Sequence, residues 1–175
     1  MNEKIINNEP LQFISNQWSK KSVRDQIEGV CKGGCKWVQL RLKNKNEKEW
    51  IRIGQEAKNI CNKYGAILII NDQVEIAHKI DADGVHLGND DMDPLVARAI
   101  LGKEKIIGGT ANQPKEISGL YNKGVDYIGL GPFRYTKTKE KLTEILGLEG
   151  YDKIIKYLKA QNILLPVYAI GGIEA

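Results

Sequence analysis

The 175-residue sequence predicts an α/β protein, a (β/α)8 barrel lacking its last β/α unit, with seven parallel strands in one domain spanning 1–175. Three observations predict it. Short apolar, β-branched runs alternate with longer segments of helical period. The units follow one another with no break for a reversal of strand order, which favours a barrel over the open doubly wound sheet that the pattern also allows. Polar residues gather where many different runs end, as they do at the C-terminal mouth of a barrel.

The predicted strands are residues 11–15, 37–42, 66–70, 84–87, 105–108, 127–130 and 166–170. Between them, Val23, Ile27, Val30 and Cys31 repeat near 3.6 residues and predict the first helix. The clearest helix puts Trp50, Ile53, Ala57, Ile60, Cys61 and Tyr64 on one face. A weaker one is expected to bury Leu95, Val96, Ala99 and Ile100, and a later one Tyr151, Ile154, Ile155 and Leu158. Glycines 33, 34, 65, 102 and 124 stand where these helices should stop, because glycine accepts the left-handed cap conformation. The units stop after the seventh strand. The first and seventh strands are therefore expected to carry unpaired edges, to associate or lose order, and to depress stability and turnover together.

Composition narrows the function classes. Hydrophobic residues make up 42% and charged residues 27%, as in ordinary soluble domains. The net charge of +4 is mild and its lysines and arginines are scattered, which argues against nucleic acid and leaves anionic small molecules. The polar first ten residues do not read as a signal peptide, and no run of about 18 apolar residues could span a membrane. The three cysteines, Cys31, Cys35 and Cys61, fit neither a Cys-x-x-Cys motif nor a zinc set, and read as reduced thiols in a cytoplasmic protein.

The second run carries Gln39, Arg41 and Lys43 at alternate positions, hence on one face, pointing into the barrel and its mouth. Buried cations require an anion, and a diphosphate would serve. The third run ends in Asn71 and Asp72, and the fourth is followed by Asn89, Asp90 and Asp91. Asp72 could be a helix N-cap before Gln73, and Asp90, Asp91 or Asp93 could cap the helix starting at Pro94. Asp72 and Asp91 together, facing a basic row, instead favour a hard cation such as Mg2+. His86 reads equally as a packed strand histidine or a catalytic one, and His78 is given no role. The fifth run leads into Thr110. The sixth opens the loop Arg134-Tyr135-Thr136-Lys137-Thr138-Lys139, whose hydroxyls and lysines suit an anion clamp. The seventh ends in Gly171-Gly172, where backbone N–H groups could approach a phosphate.

In order along the chain, QLRLKN at 39–44, IIND at 69–72, ADGVHLGNDD at 82–91, GVDYIGLGPFRYTKTK at 124–139 and AIGGI at 169–173 resemble the thiamine phosphate synthase family. The resemblance implies a transferase of thiamine biosynthesis. Hydroxymethylpyrimidine diphosphate is coupled to thiazole phosphate, and diphosphate leaves. It implies that Gln39, Arg41, Lys43 and Asn71 hold the pyrimidine diphosphate and that Thr110 meets the pyrimidine. Thr136, Thr138 and Lys139 would contact thiazole phosphate and diphosphate, and Gly171 would begin the thiazole phosphate site. Asp72 and Asp91 would bind Mg2+, while Arg41, Lys43 and Lys139 would neutralise the departing diphosphate. Partners would be these small molecules, with no nucleic acid or membrane and with a homo-oligomer possible. Asn89 replaces the family's frequent Gln, Thr110 its usual Ser, and Phe133-Arg134-Tyr135 is bulkier than the commonest loop. Two rival readings are a thiazole tautomerase of the same fold, which would need no magnesium, and a ligand-binding barrel remnant without activity.

Overall fold

The computed structural model describes residues 9–136 and 144–173. Strand and helix alternate throughout: β1 (Phe13–Ile14), α1 (Val23–Lys32), β2 (Trp37–Leu40), α2 (Glu47–Tyr64), β3 (Ile67–Asn71), α3 (Val74–Lys79), β4 (Gly84–Leu87), α4 (Pro94–Leu101), β5 (Ile106–Ala111), α5 (Pro114–Asn122), β6 (Tyr127–Leu130), α6 (Gly147–Ala160) and β7 (Val167–Ala169). The strands form one parallel sheet in the order β1 to β7, each paired with its predecessor.

This sheet is rolled. Strands β2 and β7 are five places apart, which in a flat sheet is about 24 Å. The rings of Trp37 on β2 and Tyr168 on β7 are nevertheless 4.9 Å apart, edge to face. Tyr127 on β6 completes the cluster, 4.9 Å from Trp37 and 5.8 Å from Tyr168. With Ile69 and Ile106 these rings fill the inside of the roll. A second, larger apolar cluster lies outside it, between the sheet and the helices. The layering follows from the sequence. The inner face of each strand supplies the roll, and the outer face meets helices buried along one stripe.

Helix α2 buries Trp50, Ala57, Ile60 and Cys61 as its period predicts. It starts on a reciprocal Asn46–Glu49 capping box and stops at the left-handed Gly65. Helices α1 and α6 likewise bury Ile27 with Cys31, and Ile154 with Leu158.

Helix α4 departs from expectation. Leu95, Val96, Ala99 and Ile100 face outward; Leu95 is 58% exposed and Val96 50%. The inward side is formed by Pro94, Ala97, Arg98 and Leu101. Arg98 turns inward because it pairs with Asp126 at 2.7 Å and donates to the carbonyls of Lys105 and Gly124. Periodicity alone assigned the wrong face because both faces are apolar and the decisive residue is charged.

Two C-terminal strand ends shift by two residues or more. Strand β2 ends at Leu40 instead of continuing to residue 42, and β5 runs on to Ala111. The extension of β5 is possible because Gly108 and Gly109 admit their neighbours closely. A methyl group on Gly108 would lie 2.2 Å from Tyr127 Cζ and 2.6 Å from His86 Nδ1.

Candidate active site

Beyond Leu40 the chain leaves the ladder and is held by the β1–α1 loop. Ser15 Oγ accepts from the Arg41 N–H at 2.9 Å, and Gln17 Oε1 from the Lys43 N–H at 2.7 Å. These two bonds present Arg41 and Lys43 at the C-terminal mouth although neither lies in a strand. The Arg41 guanidinium lies over the Trp18 ring, 5.8 Å from its centre. The Lys43 ammonium meets Asp72 Oδ2 at 2.6 Å.

Asp72 follows β3 and still donates its N–H to His86 O at 2.9 Å, with a left-handed φ of 66°. An aspartate tolerates that conformation better than most residues. It does not cap α3, whose first flanking residue is Gln73. Asp91 is an exposed residue, but its carboxyl folds back onto the loop after β4 and accepts the Gly88 N–H at 2.6 Å. Partial loss of solvent, then a hydrogen bond with Asp72, push its pKa above the usual carboxylate value. The cap of α4 is supplied by Asp93 instead, through the Leu95 N–H. Asp93 thus caps the helix, while Asp72 and Asp91 face one another beside Lys43.

Beneath the mouth a chain of polar groups, buried except at the half-buried Gln12, runs across the inside of the rolled sheet. Gln39 Nε2 donates to Gln12 Oε1 at 3.2 Å, and Gln12 Nε2 to Tyr127 Oη at 3.1 Å. Tyr127 Oη is 2.9 Å from His86 Nδ1, and His86 Nε2 is 2.9 Å from Thr110 Oγ1. One assignment satisfies every link in a single sense: the tyrosine donates to Nδ1, and Nε2–H donates to the threonine. Thr110 then keeps its own proton to give upward. Burial pushes the Tyr127 phenol far above its ordinary pKa, so it stays a neutral donor. His86 is therefore neither simply packed nor at the mouth; it orients Thr110 from below. Asn71, 7% exposed, pairs in register with His86.

On the opposite strands, Gly171 and Gly172 have φ of 79° and 71°. A Cβ on Gly171 would meet Pro132 at 2.8 Å, and one on Gly172 would meet Arg134. The Gly171 carbonyl accepts from the N–H groups of Phe133 and Arg134, both at 3.0 Å. The paired glycines thus let the β6–α6 loop dock on the end of β7, a structural reason that phosphate contact alone did not suggest. Thr136 is partly buried in that loop, while Thr138 and Lys139 lie outside the described residues. The structure brings together Lys43, Asp72 and Asp91, with Arg41 on the same segment against Trp18 and with Gln39 and Thr110 linked through the chain below. Sequence reasoning missed Gln12, Trp18 and Tyr127. Only the alternation of Gln12 with Ile14 hinted that Gln12 faces inward.

The family model described as thiamine monophosphate synthase matches residues 11–175. A thiamine-phosphate synthase of Flavobacterium johnsoniae is 50% identical over 166 residues, covering 93% of this chain and 77% of the relative. One from Phocaeicola vulgatus is also 50% identical, over 163 residues, covering 93% and 78%. Among solved structures, a thiamine phosphate pyrophosphorylase from Pyrococcus furiosus superposes with a TM-score of 0.83 at 32% identity, covering 97% of this chain and 78% of that one.

Proposed function

This chain belongs to the thiamine monophosphate synthase family, and from that premise we propose that its barrel mouth joins hydroxymethylpyrimidine diphosphate to thiazole phosphate, giving thiamine phosphate and diphosphate. The bond from the pyrimidine methylene carbon to the diphosphate oxygen breaks, and a bond from the thiazole nitrogen to that carbon forms. The reaction is a group transfer that needs no protein nucleophile. The observation that carries the reading is the meeting of Lys43 with the Asp72–Asp91 pair, two residues after Arg41 on the same segment.

Two carboxylates in contact, one with its pKa raised, favour a cation between them, and the donor set is all oxygen. The residues therefore fit magnesium, held by Asp72 and Asp91, which would offset negative charge developing on the leaving group. Arg41 offers a planar fork for diphosphate oxygens, and Lys43 a point charge. Lys43 now neutralises Asp72, and would turn to the diphosphate as Asp72 takes up the metal. Gln39, Asn71 and Thr110 would grip the pyrimidine, with Thr110 aimed by His86. Thr136, Thr138, Lys139 and Gly171 would take the thiazole phosphate side.

In the same reading the seven units are part of a single (β/α)8 barrel domain, supported by the curl of the sheet. No helix among the described residues is long and apolar enough to cross a membrane. The unpaired thiols of Cys31, Cys35 and Cys61 accord with the cytoplasmic setting we propose. The test is to incubate the protein with both substrates and Mg2+ and quantify diphosphate and thiamine phosphate. Equal amounts of both products support the reading; diphosphate release without the coupled product, or neither, rejects it.

A further inference from the structure

Trp18 has no part in the family motifs or in the reading above, yet it occupies the rim of the mouth. The residue is 58% exposed, whereas Trp37 is wholly buried and Trp50 nearly so. The loop that carries it is not left loose. Gln26 grips Asn16 from both sides, accepting its N–H at 3.0 Å and donating to its carbonyl at 2.8 Å. Asn16 Oδ1 in turn accepts the Trp18 N–H at 3.0 Å. Ser15 and Gln17, flanking Asn16, hold the backbone of Arg41 and Lys43. One short loop therefore fixes both the backbone that presents Arg41 and the aromatic face beneath its guanidinium, 5.8 Å away.

We propose that Trp18 is a positioning residue for Arg41, an aromatic platform that holds the guanidinium in place to receive the diphosphate. An acid would hold an arginine as firmly, as Asp72 holds Lys43. But an acid occupies the edge N–H groups and competes with the incoming anion. Stacking uses the face of the guanidinium, and its edge is the part that forks onto phosphate oxygens. Lys43 must exchange a partner when substrate and metal arrive, whereas the contact with Trp18 can persist through binding.

This proposal rests on the diphosphate site described above, so its test must separate the two. Inorganic diphosphate with Mg2+ is titrated calorimetrically into the parent protein, Trp18→Ala, Trp18→Phe, Arg41→Ala and the Trp18→Ala/Arg41→Ala double variant. A cation–π contact at an exposed site corresponds to about two- to fivefold in affinity. Trp18→Ala is expected to weaken binding by that factor, and Trp18→Phe to restore most of it. In the Arg41→Ala background, Trp18→Ala is expected to cost nothing further, because the residue it positions is gone. Equal weakening in both backgrounds, or no weakening in either, overturns the proposal and leaves the diphosphate site standing. A parent protein that binds no diphosphate overturns both.

Discussion

Tyr127→Phe probes the buried chain directly, because it removes one atom and keeps the ring. The phenol is 0% exposed and joins Gln12 Nε2 to His86 Nδ1, while its ring packs edge-to-face on Trp37. Phenylalanine preserves that packing. It deprives two interior groups of their common partner, at about 1–3 kcal/mol for each. The expected destabilisation is about 2–6 kcal/mol, a large share of the ~5–15 kcal/mol that holds a domain folded. At about 2–4 °C per kcal/mol for a chain of this size, Tm should fall by roughly 4 °C at least, and by more than 10 °C at the upper end. Tyr168→Phe is the control. That hydroxyl donates to Glu9 O at 3.0 Å on a half-buried residue, a net loss of only about 0.5–1.5 kcal/mol. Calorimetric melting of both variants decides the matter. A Tyr127→Phe protein that melts within about 2 °C of the parent, or no lower than Tyr168→Phe, refutes the chain as a stabilising feature. If it folds at assay temperature, its KM for the pyrimidine substrate should rise, because Thr110 loses the support of a fixed His86.

Other expectations follow from the same contacts. Asp91→Ala should abolish the Mg2+ requirement along with most turnover, whereas Asp90→Ala, exposed and not facing Asp72, should leave both nearly intact; a metal titration of each variant checks this. Burial pushes the Cys61 thiol up to about 12 and raises Cys31, disfavouring the thiolate. The thiolate form is therefore scarce near neutral pH, so a thiol reagent should label neither residue until urea unfolds the chain; prompt labelling would show those helices to be loosely packed. Leu95→Lys on the outward face of α4 should change stability by less than about 0.5 kcal/mol, while Ile117→Ala, fully buried on α5, should cost about 2–5 kcal/mol in urea titration.

The strands were legible because parallel strands buried on both faces read as continuous apolar runs, and the seven runs predicted all carry strands. The mouth was legible for a related reason. Residues at strand ends converge whatever the loops do, so Lys43, Asp72 and Asp91, which meet in the structure, could be grouped before any coordinates. Three things were not legible. The orientation of α4 depends on a long-range pair, Arg98 with Asp126, that no local period encodes. The Gln39–Gln12–Tyr127–His86–Thr110 chain joins strands separated by up to 115 residues, and its members are individually ordinary strand residues. The role of Gly171 and Gly172 is set by Pro132 and Arg134 from another loop, so the glycine pair alone suggested a phosphate where packing was the nearer cause.

The central claim is that the facing acids Asp72 and Asp91 hold a metal beside a cationic diphosphate site. A crystal structure of the protein with Mg2+ and diphosphate tests it most directly. The account predicts one octahedral cation with oxygens of Asp72, Asp91 and diphosphate at about 2.0–2.1 Å. Arg41 should contact the diphosphate, and Lys43 should have moved from Asp72 toward it. A diphosphate bound away from Arg41, or a cation that leaves either aspartate uncoordinated, would contradict the account.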